Sequence, residues 1–486
     1  MATRTYFFGG LSILLAFVLS GCGSSSQQPP VPPGPPVVTF NNASLSGSYV
    51  MTANGTNSAG VYTLLSILQA DGNGNITGGH TFYNASTLSF GNFSATGTYS
   101  VGTDGRTTVN LNADNLGAVA FDLVLLSPQH GLVVRFDNTA TASGTLDKQD
   151  PSAFNAAAIA GTYVFNLLGT DSSGQPEASV GAFTVDGAAN ITGGVQDTND
   201  NGVITANASI LAAPTSVFDV VPGIGNGVFS YTTAPDGLRD YALVTIDANH
   251  IKFASNESTI VQAGDLYRVA PAVVSGSLVF AMKGITASGP FAAGGVLNTD
   301  GAGNILNSSV EDINNGGTVS LNSPLSGTYS ISGNRAAVTL NSSSIHLAAY
   351  PSMGGTQIIE LDGPVIATGV ALQQTGPLSN ATLNGSYGAS LTGVGAAGQF
   401  DGVARFSADG NGKLAGLLNL NDTGILQPNL QVTGTYSLAV NGRAPAALAT
   451  APGTINLIFY VANSNQALSI ETDSNRVAQG GVVQQQ

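Results

Sequence analysis

The side chains best placed to do chemistry lie in Asp197-Thr198-Asn199-Asp200-Asn201-Gly202. Asp197, Asn199 and Asn201 alternate ahead of a glycine, as in the opening half of a calcium-binding loop, where alternate oxygens wrap a hard cation and glycine makes the bend. Such a loop needs a bidentate carboxylate at its twelfth position, and that position is Ala208. A Gly/Asn hairpin turn uses the same residue types for positive φ, and it is the favoured reading. His80, His130, His250 and His346 have no second His or Cys at metal-ligand spacing, so they read as exposed turn residues. No Gly-x-Ser-x-Gly elbow and no Gly-Lys-Ser/Thr phosphate loop occurs. No catalytic residue and no cofactor is therefore assigned, and the chain is expected not to be an enzyme. Tyr49, Tyr163 and Tyr387, with Tyr99, Tyr329 and Tyr436, suit either a sugar platform or aromatic plugs at strand starts. Plugs are favoured.

The elements that position these residues must suit an unusual composition. The chain has 486 residues, with 8% charged, 43% hydrophobic and 63 Gly. That length exceeds one core, and the Gly, Asn, Ser and Thr content favours short strands and tight turns over helices. Net charge is −15, with 28 acids and 13 bases spread along the chain. No basic patch forms, which excludes nucleic acid as a partner. Beyond the N-terminus no apolar run reaches the roughly 18 residues of a helical membrane span. The single Cys leaves no internal disulfide.

That cysteine closes an N-terminal pattern. Arg4 precedes the apolar stretch Tyr6 to Val18, which ends in Leu19-Ser20-Gly21-Cys22. The pattern resembles the lipobox of bacterial lipoproteins. The resemblance implies a signal peptide over 1–21, lipidation of Cys22, and a membrane partner through that anchor. Gly23 rather than Asp follows the Cys, which by the same resemblance favours the outer membrane or cell surface. Residues 22–38 carry Ser24 to Ser26 and prolines 29, 30, 32, 33, 35 and 36, a composition expected to form an extended spacer.

Four repeats follow, expected at 39–150, 151–271, 272–376 and 377–486. Each opens near Gly47, Gly161, Gly276 or Gly385 and continues with an Asp-Gly turn at Asp71, Asp186, Asp300 or Asp409. A Gly-Thr-Tyr-Ser motif then comes at Gly97, Gly327 and Gly434. Its counterpart in the second repeat is taken as Gly227-Val228-Phe229-Ser230, displaced by an insertion around 206–225. An Arg follows each: Arg106, Arg239, Arg335 and Arg443. Four motifs in fixed order point to units of about 110 residues, each long enough to be a domain.

Within a unit, Val119, Phe121, Leu123 and Leu125 alternate with Ala120, Asp122 and Val124, the period-2 signature of a strand with one buried face. About eight such strands joined by hairpins predict an all-β protein of four tandem antiparallel up-and-down barrels. The shape resembles lipocalins in architecture only; β-sandwiches are the alternative. The expected function is a lipid-anchored envelope module for display, adhesion or binding of a protein or glycan. A small ligand held inside the barrels is the second reading.

Overall fold

Period-2 alternation closes each unit on itself. In the first, eight strands run from Ser46–Asn57 through Ala140–Lys148, and the eighth pairs antiparallel with the first, Met51 opposite Leu146. The third unit (Ser275–Thr286 through Val365–Gln373) and the fourth (Asn384–Gly395 through Arg476–Gln484) close the same way. The computed structural model describes residues 38–486 except 86–87, 115, 215, 235, 272–274 and 342–344. The signal-peptide and Cys22 readings thus lie outside the described residues. The protein is all-β, with four antiparallel barrels: three closed and the second ring-like.

The second barrel differs because its fourth strand is broken into Val203–Ile210 and Val217–Val220, and only Ile210 opposite Thr233 links the first piece across the gap. This corrects the motif alignment. In the other barrels the backbone N–H of Tyr99, Tyr329 or Tyr436 donates to the Asp-Gly turn at Gly74, Gly303 or Gly412. In the second barrel Phe218 does so, to Ala189. Gly227-Val228-Phe229-Ser230 lies in the fifth strand, Asn226–Thr233, and Arg239 in the sixth, Gly237–Asp247. A Gly-aromatic pair marks many strands, so the motif slipped by one strand where the chain was interrupted.

Side chains fill the barrels. Tyr49, Met51, Leu64, Phe121 and Leu125 pack inside the first. The second holds Phe165, Phe183, Phe218, Phe229 and Tyr241, with the rings of Phe229 and Tyr241 stacked at 4.9 Å. Tyr49, Tyr163 and Tyr387 plug barrel ends, each hydroxyl donating to a turn carbonyl: Pro128, Ala248 and Ser464. These rings are buried and form no sugar platform. The Asn75 and Asn304 side-chain amides on Asp71 and Asp300, and two backbone N–H bonds within the turn on each of Asp71, Asp186, Asp300 and Asp409, hold these carboxyls below the usual range.

Several strands are buried on both faces, Tyr62 to Leu68 and Phe121 to Leu126 among them. One face lines the barrel and the other meets a neighbouring barrel. Val50, Leu65 and Ile67 of the first barrel pack on Ala242, Val244 and Ile246 of the second. Val164 and Val180 of the second meet Tyr350 and Ile359 of the third. Val279 and Val296 of the third meet Ile458 and Tyr460 of the fourth. Val403 of the fourth meets Val124 and Val134 of the first. Each contact sets the early strands of one barrel on the sixth and seventh strands of the next. Head-to-tail contacts of this kind form a closed ring when the last unit reaches the first, and here it does. Each fully buried aliphatic side chain in these faces contributes about 1.5–3 kcal/mol.

Candidate functional site: interbarrel clamps and the axial cavity

The residues singled out for calcium sit on the third strand of barrel two, Ile191–Asp200, and its turn. Both Asp197 oxygens are taken by Arg335 of barrel three, at 2.7 Å each, and by the Tyr350 hydroxyl. The Asn199 amide donates to the Val365 carbonyl of barrel three at 2.8 Å, while its oxygen accepts from Gly202 N–H. Asn201 is a turn residue with φ 47°. The oxygen alternation thus serves a joint between barrels. Among the described residues no group of three or more His, Cys, Asp or Glu side chains is placed to hold a metal.

The joint recurs around the ring. Asn84, Asn199, Asn314 and Asn421, all buried, each insert a side-chain amide into the turn before the last strand of the next barrel. Asn314 donates to Glu471 and Arg476 carbonyls, and Asn421 returns to Arg135 and Ala140 of barrel one. Two residues before each Asn stands a second contact. It is Asp197 on Arg335, then Asp312 on Arg443 and Tyr460. From barrel four it is Asn419 on Asp122. Burial pushes the Asp122 carboxyl up to about 6, against the Asn419 hydrogen bond that lowers it. Between barrels one and two Phe82 holds this position and packs among apolar side chains.

A second set of bonds lies at the opposite end of the barrels. The N–H groups of Asp150, Ala270, Thr375 and Gln486 donate to Ile246, Pro351, Ala462 and Leu126 of the following barrel. The amides of Gln149, Gln374 and Gln485 add bonds to Thr245, Val461 and Leu125 carbonyls. These amides were not foreseen as functional. The repeated Asn-x-x-Gly at Asn199, Asn314 and Asn421 was the available signal.

Three histidines are not free turn residues: His130 meets Asp147, His250 meets Asp265 and His346 meets Asp362. Lys252 of barrel two lies between the first two pairs, 2.7 Å from Asp265 and 3.7 Å from Asp147 of barrel one. The Lys252 ammonium offsets the burial of both carboxyls and, with the histidines, holds them well below the usual range. The Thr145 hydroxyl also donates to Asp147, at 2.6 Å.

The larger spaces shared by several barrels lie between them, while the mouth of barrel four holds about 160 Å³ beside Leu420, Leu430 and Glu471. Within barrel four the enclosed space is about 50 Å³. Between barrels, a cavity of about 360 Å³ is bordered by Asn54, Asn166, Lys252, Lys283, Gln357 and Gln479. A second of about 290 Å³ abuts it, sharing Leu168, Lys283 and Gln479. The barrel mouths instead hold buried acids. Desolvation pushes Glu177 and Glu311 up to about 7, Glu471 to about 8 and Glu360 to about 9.

No family model matches the chain, and no curated protein matches it in sequence. Solved structures with some likeness include a mutant of the vaccine antigen Transferrin Binding Protein B from Haemophilus parasuis Hp5, at 10% identity over 91% of this chain and 96% of that one, TM-score 0.21. Intact Ap-TbpB, with its N and C lobes, gives 10% identity over 90% and 94%, TM-score 0.21. Kievitone hydratase from Nectria haematococca gives 7% identity over 69% and 91%, TM-score 0.18. Superpositions this loose transfer no function to this chain.

Proposed function

We propose that the chain is a lipid-anchored, non-enzymatic envelope protein whose four barrels form one preformed ring for binding an extracellular partner. The observation that carries this reading is the filling of the barrels. In barrel four the core encloses about 50 Å³ and the hairpin-end mouth about 160 Å³, each below the ~300 Å³ of a ligand pocket. Binding surface is therefore on the outside of the ring or between its members. Four barrels locked by buried amides lose little freedom on docking, which favours affinity.

Chain continuity orients the reading. Residue 38 joins barrel one beside the Asp-Gly turns, where Phe40 N–H donates to Thr103. The opposite hairpin face is the free face, to which we assign the partner. Val203 and Ile425, each more than 60% exposed, stand at hairpins of the free face.

Two measurements test this. Cys22→Ser should move the protein from the membrane to the soluble fraction; retention in the membrane contradicts the anchor. Photo-crosslinking groups at 203 and 425 in intact envelopes should yield a discrete protein adduct absent from Asn73 and Asn411 on the turn face. Equal labelling of both faces, or none, contradicts the partner-facing assignment.

A further inference from the structure

Lys283 lies on the first strand of barrel three, where Phe280 and Met282 point into the barrel core and Lys283 points out, toward the ring axis. Among the described residues it makes no hydrogen bond and no ion pair. The other axial lysine, Lys252, is held by Asp265 at 2.7 Å and by Asp147. The acid whose field reaches Lys283 is Asp401 of barrel four, beyond ion-pair distance. One Asp401 oxygen already accepts from Thr141 at 2.7 Å and Gln399 at 2.9 Å. The Lys283 side chain is solvent-exposed on the lining of both axial cavities, so in a chain of net charge −15 it presents an accessible, unpaired positive charge to an anion that enters there.

The surroundings define that anion. Gln479 borders both axial cavities beside Lys283 and has no side-chain partner among the described residues, so it offers a second donor. Toward the hairpin face the lining turns apolar, with Leu168, Ile285, Phe291 and Val394. Asp265 and Asp401 nearby disfavour a second negative charge on the ligand. We propose that the axial cavity binds one amphiphilic monoanion, its carboxylate on Lys283 and Gln479 and a short apolar chain along Leu168, Ile285, Phe291 and Val394. This site lies between barrels, unlike a ligand carried within one, and does not depend on the anchor or the extracellular partner.

Octanoate is the probe, titrated calorimetrically into the full-length Cys22→Ser chain. One saturable site is expected. Octanol, which lacks the charge, and acetate, which lacks the chain, should each bind at least ~10-fold more weakly, the range of a charge-assisted hydrogen bond. Lys283→Met should weaken octanoate by at least ~10-fold while Lys283→Arg stays within ~3-fold, so a folding defect in one is not mistaken for loss of the site. Val394→Asp, at the apolar end, should also abolish binding. Absence of saturable octanoate binding, equal binding of octanol, or undiminished binding by folded Lys283→Met overturns the proposal.

Discussion

The side-chain amide of Asn421 donates to the backbone carbonyl of Ala140 at 2.8 Å, joining residues 281 positions apart. It also donates to Arg135 at 2.7 Å. The same group in Asn84, Asn199 and Asn314 joins each earlier barrel to its successor, so this bond closes a circle.

Asn421→Ala should destabilise the fold by about 2 kcal/mol, because it strands buried carbonyls that have lost their donor. Urea unfolding measures the loss. Hydrogen exchange should show it first at 135–140 and 419–424, the facing segments of barrels one and four. An unchanged midpoint contradicts the assigned role.

Asp312 accepts both Arg443 nitrogens at 2.8 and 2.7 Å and is fully buried. Asp312→Ala should cost about 3 kcal/mol, since the Arg443 guanidinium is left half-buried without its partner. Replacing both, Asp312→Leu with Arg443→Met, should recover most of that loss. The ring supplies the precedent: Phe82 stands at the Asp312 position in barrel one, and Asn226 opposite Val244 stands where Arg443 pairs with Tyr460. A double-mutant cycle with no coupling contradicts the clamp.

Stability should be greatest in mild acid. Glu177, Glu311, Glu360 and Glu471 are raised to about 7, 7, 9 and 8, against about 4.3 in an unfolded chain. The folded state then binds more protons, so their contribution is complete below about pH 4 and is lost as pH rises through 7 to 9. Asp147 and Asp265 are lowered, so their contribution is present above about pH 4 and is lost as pH falls below it. The urea midpoint should peak near pH 5. Glu471→Gln should add on the order of 2 kcal/mol at pH 8 and little at pH 5. A midpoint that rises from pH 5 to pH 8 contradicts this.

The barrels were legible because alternation such as Val119, Phe121, Leu123, Leu125 states which face is buried, and Asp-Gly turns state where each hairpin bends. The ring was not. Val50, Leu65 and Val180 face a neighbouring barrel, yet in a strand apolar on both sides they look like core. The Asp197 alternation suggested a cation because its true counter-charge, Arg335, lies 138 residues away. The His–Asp pairs were hidden likewise, each partner lying 15 to 17 residues on, Asp147 and Asp265 on the adjacent strand and Asp362 in a turn. Asn84 lacks the Asn-x-x-Gly of its three counterparts, so a fourfold reading of that motif was incomplete in sequence.

Ring closure is the claim on which the clamps and the axial cavity both depend, and a disulfide trap reads it directly. A Cβ placed on Gly388 of barrel four falls 3.0 Å from the Val124 Cγ1 of barrel one, so a sulfur at the Cγ1 position is within reach of a second Cys there. In a Cys22→Ser background, Val124→Cys with Gly388→Cys should oxidise at low protein concentration to an intramolecular link, seen as a faster band on a non-reducing denaturing gel. Failure to link, or links only between separate molecules, would show that barrels one and four do not meet.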